Sequence, residues 1–82
     1  MFYVYILQSD LTGKYYIGST KNVSQRLARH NSKMVLSTKS HCPWKLIHTE
    51  IFDTLSEARR RELEIKSWKN PAYMVNKLGL TV

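Results

Sequence analysis

The sequence is poor in cysteine, glycine and proline, and each scarcity excludes a class of protein. Its 82 residues include one cysteine, three glycines and two prolines, too few for a disulfide framework or a linker rich in glycine and proline. Because Cys42 has no second thiol to pair with, an internal disulfide and a thiolate-rich zinc site are both excluded. Cys42 precedes Pro43 in an expected loop, so we interpret it as a structural or surface residue rather than a nucleophile.

Long hydrophobic runs are also missing. No apolar stretch approaches the roughly 20 residues that a transmembrane helix needs. The first residues, Met1 to Tyr3, lack the basic region that opens a signal peptide. We therefore expect a cytoplasmic location and no membrane partner. A chain of 82 residues predicts one domain over residues 1–82, of modest stability and monomeric by default.

Acidic residues are few, and basic residues are abundant. Thirteen Lys and Arg against six Asp and Glu give a net charge of +7. This excess favours a polyanionic partner, although a merely basic surface is an alternative explanation. No strongly apolar helix face accompanies the cations, as a membrane-lying helix would require, so nucleic acid is the favoured partner. The candidate nucleic-acid contacts are Lys21, Arg29, Lys39, Arg59 and Lys66.

Three segments have the aromatic and β-branched composition of strands: residues 2–7, 15–19 and 44–52. The first is apolar at every position, which is typical of a strand buried on both faces. Turn residues at 9–13, with Gly13 free to adopt a positive φ, predict a hairpin between the first two strands. Gly18 indicates a close approach to the backbone, through a bulge or a bound ligand.

Three helices are expected between and after these strands: residues 23 to about 30, residues 55 to about 69, and residues 72–77. Asn22 is a candidate N-cap for the first helix, and Thr54 with Glu57 forms a capping box for the second. Pro71 stops the second helix and can open the third. The order β-β-α-β-α-α predicts an α+β fold, a small three-stranded antiparallel sheet flanked by helices.

A hairpin followed by a helix would bring two phenols and a guanidinium to one surface. Tyr5 and Tyr16 lie in the two hairpin strands, and Arg26 lies in the first helix, four residues before His30. Phenols can carry protons, and a guanidinium can bind a phosphate through two hydrogen bonds. This combination suits the chemistry of a phosphodiester.

Glu62 is out of place on the second helix. At about 100° per residue, Leu55, Ala58 and Ile65 define the inward stripe, and Glu62 falls in its middle. An inward carboxylate is costly unless it is paired or bound to a metal. A salt bridge to a neighbouring arginine would explain it, and so would a divalent cation held with water and a substrate phosphate.

Together these residues resemble the GIY-YIG nuclease superfamily, whose members include homing endonucleases, some restriction enzymes and the incision domain of a bacterial excision-repair nuclease. The matching segments are residues 3–5, 16–18, 18–30 and 58–68. Tyr3 replaces the glycine of the first family triplet, whereas the second triplet is complete. The similarity covers nearly the whole chain and is greatest to small stand-alone bacterial members.

The resemblance implies a role for each residue of the set. Glu62 would bind a single Mg²⁺ or Mn²⁺, and Arg26 would hold the scissile phosphate. Tyr5 would deprotonate or orient the attacking water, Tyr16 would hydrogen-bond near the phosphate, and His30 would be a secondary site residue. We expect the Arg26 cation and metal-bound water to favour the phenolate form of Tyr5.

Five other residues are considered for roles in the active site or in base stacking. Asn70 and Asn76 are both candidates for an asparagine that some family members use near the active site. His41 is a candidate for a loop histidine found in some members. Trp44 and Trp68 could stack on bases, but we expect them to be core residues.

Two functions remain in competition at this point. The leading one is a metal-dependent endonuclease that hydrolyses DNA with little sequence specificity, in DNA repair or recombination, with DNA favoured over RNA. The second is a nucleic-acid-binding module of the same fold with little or no catalysis. A membrane-surface or protein-interaction module has only the net charge in its favour.

Overall fold

The computed structural model describes residues 1–80, in which one antiparallel sheet carries helices on both faces. The strands are β1 (Phe2–Ser9), β2 (Tyr15–Thr20) and β3 (Trp44–Phe52), and the helices are α1 (Val23–Asn31), α2 (Leu55–Ser67) and α3 (Pro71–Lys77). The expected β-β-α-β-α-α order and the α+β fold class are confirmed. The last two residues of the expected domain, 81 and 82, lie outside the described part of the chain.

β1 is the central strand of the sheet, which has the order β2-β1-β3. It pairs antiparallel with both neighbours, and Tyr5 faces Gly18 on one side and Thr49 on the other. The only irregularity lies in the pairing with β3, where the register shifts between Ile6 and Leu7. The β1–β2 pairing runs without interruption through Gly18, so the bulge considered for that glycine is absent there.

The two faces of β1 supply two separate apolar clusters, as its unbroken apolar sequence predicted. Val4 and Ile6 pack with Ala58 and Ile65 of α2 and with Met74 of α3. Tyr5 and Leu7 point to the opposite face, where they pack with Trp44 and with partly buried residues of α1. Side chains alternate across a strand, so neighbouring residues of β1 serve different helices.

The helix ends follow the capping residues. Asn22 accepts a hydrogen bond from the Gln25 amide, and Thr54 accepts one from the Glu57 amide. α2 ends at Ser67, two residues before the expected end, and Lys69 has a left-handed backbone with φ 57°. The Asn70 side chain then caps α3, so the chain uses the residues before Pro71 to turn between the helices.

The prediction of the inward stripe of α2 was wrong for one residue, Leu55. Ala58 and Ile65 are buried, but Leu55 is 38% exposed because it begins the helix at the end of the sheet. The expectation for Trp44 was right, since it is buried in the core. Trp68 is half-buried against the α2/α3 cluster, and the Arg61 guanidinium lies 5.5 Å from its ring centroid.

The segment between α1 and β3 is held by its backbone carbonyls. The Trp44 indole N–H donates to the Thr38 carbonyl at 3.0 Å, and the Cys42 thiol donates to the His30 carbonyl at 2.9 Å. A 3₁₀ turn, Lys39–His41, lies within this segment. Within residues 1–80, none of the helices is long and apolar enough to cross a bilayer.

Candidate active site

An open cavity of about 410 Å³ lies where the edge strand β2 meets α1 and α2. Its walls are formed by Tyr5, Tyr16, Gly18, Ser19, Arg26, Arg59, Glu62 and Leu63. Tyr5, Tyr16, Arg26 and Glu62, which the sequence proposed as catalytic, therefore share one cavity although they come from four elements. His30, the remaining proposed residue, lies directly behind Tyr5.

Tyr5 is placed by the glycine opposite it in the sheet. A Cβ atom at Gly18 would lie 2.5 Å from the Tyr5 hydroxyl oxygen and 2.7 Å from Cζ. Only a residue without a side chain lets the phenol ring lie across β2 and reach the cavity. The close approach that Gly18 indicated is thus made by another side chain of the protein.

The Tyr5 hydroxyl is more strongly protonated than the sequence suggested. Burial raises its pKa to about 12, and the nearby Tyr16 contributes in the same direction. The Arg26 cation lowers this pKa, as expected, but the effect of burial is larger. Arg26 therefore favours the phenolate, but it does not by itself offset the effect of burial.

His30 is buried and neutral. Burial lowers its pKa, and the charges of Arg26 and Arg29 lower it further. Its Nδ1 lies 2.9 Å from the Thr38 hydroxyl, which donates its own proton to the Val35 carbonyl at 3.4 Å. With its proton directed at the Val35 carbonyl, the Thr38 hydroxyl can accept from Nδ1–H, in the tautomer that carries the ring proton on Nδ1.

This tautomer makes Nε2 of His30 an acceptor. The Tyr5 hydroxyl oxygen lies 3.3 Å from Nε2, so in this tautomer the phenol can donate its proton to the imidazole. The Tyr16 ring lies beside both groups, with its centroid 4.6 Å from that of His30 and 6.2 Å from that of Tyr5. A short chain of proton-carrying groups thus leads from Tyr5, at the cavity, through the buried His30 to the buried Thr38.

Glu62 has two polar partners on the other side of the cavity. Its Oε1 accepts from the Ser19 hydroxyl at 2.6 Å, and its Oε2 is 2.6 Å from Nζ of Lys66, one helical turn away. The side chain of Glu62 is 17% exposed, so the carboxylate faces the cavity without being sealed in the core. A salt bridge was one of the two explanations expected for Glu62, and Glu62 does form one. Its partner is Lys66 and not the expected arginine.

The neighbouring arginine serves a different purpose. Arg61 donates to Glu50 of β3 at 2.8 Å and to Glu64 at 2.9 Å. Burial raises the pKa of the Glu50 carboxyl, but the hydrogen bonds and charges of Arg61 and His48 outweigh burial and hold that pKa below its usual value. Arg61 therefore joins α2 to β3 and takes no part in the cavity.

The donor set at Glu62 fits a cation that is bound mainly by water and substrate. Within residues 1–80 there is no group of three or more His, Cys, Asp and Glu side chains that could hold a metal ion. One carboxylate with an adjacent hydroxyl is a sparse set, and Mg²⁺ commonly keeps several waters and takes phosphate oxygens as ligands. Lys66 would have to leave Oε2 for a cation to approach that oxygen.

The five candidate nucleic-acid contacts do not form one patch. Arg59 lines the cavity, and Lys66 touches Glu62 at its edge. Lys21 lies over the Phe2 ring, 5.6 Å from the centroid, while Arg29 and Lys39 are exposed near the far end of α1. Lys21, Arg29 and Lys39 are not among the residues that line the cavity.

Two residues of the site were missed from the sequence. Ser19 could have been found from the strand alternation, which puts it on the face of β2 that meets α2. Thr38 lies in a segment without periodicity, and only the fold brings it into contact with His30, which is eight residues earlier in the chain. Asn70 and Asn76 do not line the cavity, and His41 instead contacts the Thr12 hydroxyl at 3.1 Å.

The β-β-α-β-α-α fold, with two phenols, two guanidinium groups and one carboxylate around a cavity, defines a nuclease-like α+β domain. The chain belongs to the GIY-YIG family, because the GIY-YIG catalytic domain matches residues 1–77. This family assignment confirms the resemblance found in the sequence.

Relatives of the chain occur in archaea and bacteria. A UPF0213 protein of Halobacterium salinarum is 43% identical over 67 residues, which cover 80% of this chain and 86% of that protein. A UPF0213 protein of Syntrophus aciditrophicus is 48% identical, covering 78% of this chain and 75% of the relative. The solution structure of a UPF0213 protein from Bacillus halodurans has a TM-score of 0.50 and 38% identity, covering 82% of this chain and 72% of that one.

Proposed function

We propose that this protein is an endonuclease that hydrolyses phosphodiester bonds in DNA with the help of one Mg²⁺ or Mn²⁺ ion. The proposal rests on one observation, the convergence of Tyr5, Tyr16, Arg26 and Glu62 on a single open cavity. It is supported by membership of the GIY-YIG family. We propose that the cleavage has little sequence specificity and takes place in DNA repair or recombination.

Arg26 and Arg59 would bind the scissile phosphate. Both line the cavity, from α1 and α2 respectively, so a phosphate between them would meet a guanidinium from each side. Guanidinium groups stay charged at any physiological pH and match the geometry of phosphate oxygens. Loss of such a group, aimed at developing negative charge, costs on the order of 3 to 4 kcal/mol of barrier.

Tyr5 would accept a proton from the attacking water while passing its own to His30. A free phenolate with a pKa of about 12 is scarce at neutral pH. The hydrogen bond to Nε2 of His30 offers a route in which the phenol never carries a full negative charge. Thr38 keeps Nδ1 protonated, so that Nε2 stays available as the acceptor.

Glu62, with Ser19 oriented toward it, would hold the divalent cation at the cavity edge. Such a cation stabilises charge on phosphate oxygens and lowers the pKa of bound water. Because Glu62 is the one carboxylate that lines the cavity, we expect weak metal binding in the absence of DNA.

The Glu62–Lys66 contact favours a second candidate function. An ion pair that satisfied Glu62 permanently would leave a binding module without a metal site, on the same basic surface. A binder of this kind would lose affinity for DNA with rising salt but would not depend on Glu62. The two functions therefore differ in their response to one substitution.

The test is cleavage of supercoiled, single-stranded and branched DNA with Mg²⁺, Mn²⁺ or EDTA. We expect metal-dependent cleavage that Glu62→Gln and Arg26→Ala each reduce by at least about a hundredfold. Glu64→Gln is the matched control, since Glu64 lies on the same helix but pairs with Arg61 away from the cavity. Circular dichroism would verify that every variant is folded.

Outcomes that oppose the nuclease are equally definite. Cleavage that persists in EDTA or in Glu62→Gln would remove the metal from the proposal. Salt-sensitive DNA binding by all variants, without cleavage of any substrate in the panel, would establish the binding module instead.

A further inference from the structure

A second cavity of about 480 Å³ lies beside the first, between the β1–β2 hairpin and the α2–α3 junction. We propose that it receives one unstacked nucleobase of the nucleic acid whose phosphate lies in the candidate active site. The inference rests on the proposed function, because it extends the substrate beyond the phosphate. We call this second cavity the base pocket; the residues used below are Tyr15, Ile17, Met74, Lys14, Lys66 and Lys69.

The two cavities share a wall. Lys66 lines the base pocket while its Nζ contacts Glu62, which lines the active-site cavity. On β2, Ile17 of the base pocket and Ser19 of the active site point to the same face and are two residues apart, or about 7 Å along the strand. A strand with its phosphate at Arg26 would therefore have a neighbouring nucleotide within reach of the base pocket.

The pocket combines an apolar floor with a cationic rim. Ile17, Met74 and Tyr15 supply apolar lining, which we call the floor, whereas Lys14, Lys66 and Lys69 add cationic side chains, of which Lys66 is paired with Glu62. A nucleotide has the complementary form, a flat apolar base attached to an anionic phosphate. The volume of the base pocket, about 480 Å³, lies within the range of about 300 to 1,000 Å³ that small-ligand sites have.

Tyr15 is the residue that would stack on the base. Its ring lines the pocket, and its hydroxyl oxygen lies 3.3 Å from Nε2 of Gln8, which fixes the ring against β1. A ring held in this way loses little conformational freedom when a base stacks on it. Stacking accepts any base because every base has a π face, which agrees with the low sequence specificity proposed above.

The charges argue for a polymer rather than a free apolar ligand. Three lysines around one apolar floor would be superfluous for an uncharged small molecule. A phosphodiester that continues from the active site would meet Lys66 first and Lys69 or Lys14 next. The pocket also requires the base to leave a stack, which is easiest in single-stranded or branched DNA.

The experiment compares two strands that differ only in their bases. ¹⁵N-labelled protein is titrated with a five-residue oligothymidine and, separately, with a five-residue abasic phosphodiester. EDTA is present, so no cleavage is expected. The amide and methyl NMR shifts are recorded in both titrations. Both strands should shift the amides of Ser19 and Arg26. Only oligothymidine should shift the amide of Gly13 and the methyl groups of Ile17 and Met74.

A matched pair of variants sharpens the comparison. Tyr15→Ala should weaken oligothymidine binding by about 5- to 150-fold, the usual range for loss of one stacked base, and leave binding of the abasic strand unchanged. Tyr15→Phe keeps the ring and should bind both strands almost as the parent does. Tyr73→Ala removes an exposed ring outside the pocket and should change neither affinity.

Equal shifts in the pocket with both strands would overturn the inference, as would no shifts there with either strand. The wild-type titration decides this even if Tyr15→Ala does not fold. Base-dependent shifts in a protein that cleaves nothing would retain the base pocket while rejecting the nuclease. Cleavage with no base-dependent shifts would retain the nuclease and reject the base pocket.

Discussion

Tyr5 and Gly18 are direct partners in the antiparallel pairing of β1 with β2, and the Tyr5 hydroxyl occupies the space where a side chain at position 18 would begin. The glycine of the second family triplet therefore acts on the tyrosine of the first. Two residues that are thirteen positions apart in the chain form one structural unit at the edge of the cavity.

This relationship predicts that Gly18→Ala destabilises the protein. The added methyl group would lie 2.5 Å from the Tyr5 hydroxyl, so the ring must move, at a cost of about 1 to 3 kcal/mol in the free energy of unfolding. Urea denaturation measures this cost. In the double variant Gly18→Ala/Tyr5→Leu, the penalty of the alanine should largely disappear, whereas additive penalties would show that the clash is not with Tyr5.

The Tyr5 phenol should ionise at a higher pH than an ordinary tyrosine. We expect a spectrophotometric titration to show one tyrosine with a pKa of about 12, and we expect Tyr5→Phe to remove that step. The folded protein retains this proton when the unfolded chain, at about pH 10, has released it. The contribution to stability is therefore present below pH 10 and is lost as the pH rises toward 12, by at most about 3 kcal/mol.

The control for this titration is Tyr73→Phe, which removes a half-exposed phenol from α3. It should leave the late step in place. Unfolding experiments between pH 10 and 12 should show a smaller loss of stability in Tyr5→Phe than in the parent protein. An equal loss in both would mean that burial of Tyr5 does not control the alkaline limit.

Thr38 should matter through His30. Thr38→Val keeps the shape of the side chain but leaves the buried Nδ1–H of His30 without its acceptor, which should cost about 1 to 3 kcal/mol of stability. Thr38→Ser retains the hydroxyl and should be milder. NMR of the imidazole nitrogens provides the specific readout, since only the valine variant should disturb the Nδ1–H tautomer.

Lys66 should compete with the metal for Glu62. Lys66→Ala removes the cation 2.6 Å from Oε2, so we expect tighter Mg²⁺ binding when the ion is titrated and followed by NMR. The loss of stability should stay under about 1 kcal/mol, because pairs one turn apart on an exposed helix face contribute little. Lys69→Ala is the matched control, and tighter Mg²⁺ binding in that variant would point to a general charge effect.

Much of the fold could be predicted because its signals are local. The bounds of β3 were predicted correctly, and Asn22 and Thr54 were recognised as caps, since a cap depends on residues at most three positions away. Errors occurred at helix ends and in inward faces. Leu55 has the right phase on α2 but lies at the first turn, where the sheet no longer covers it.

The proposed catalytic residues of the site could be predicted from the sequence, but their hydrogen-bond partners could not. Tyr5, Tyr16, Arg26 and Glu62 could be named because their order and spacing match a family, and the structure brings them into one cavity. Their partners could not be named in this way. Ser19 meets Glu62 across 43 residues of chain, and the strand alternation indicates its face but not its partner. Thr38 lies in a segment without periodicity, so nothing local connects it with His30.

The sequence by itself determined the order of strands and helices, the excess of positive charge and the residue types available for phosphodiester chemistry. Periodicity, capping and composition are properties of neighbouring residues, so they can be recognised without coordinates. Only the tertiary structure decided that Tyr5 is buried against Gly18, that its hydroxyl lies within hydrogen-bond distance of His30, and that Lys66 is the partner of Glu62. Burial, tautomer and pKa depend on atoms that are close in space but distant in sequence, and packing alone brings them together.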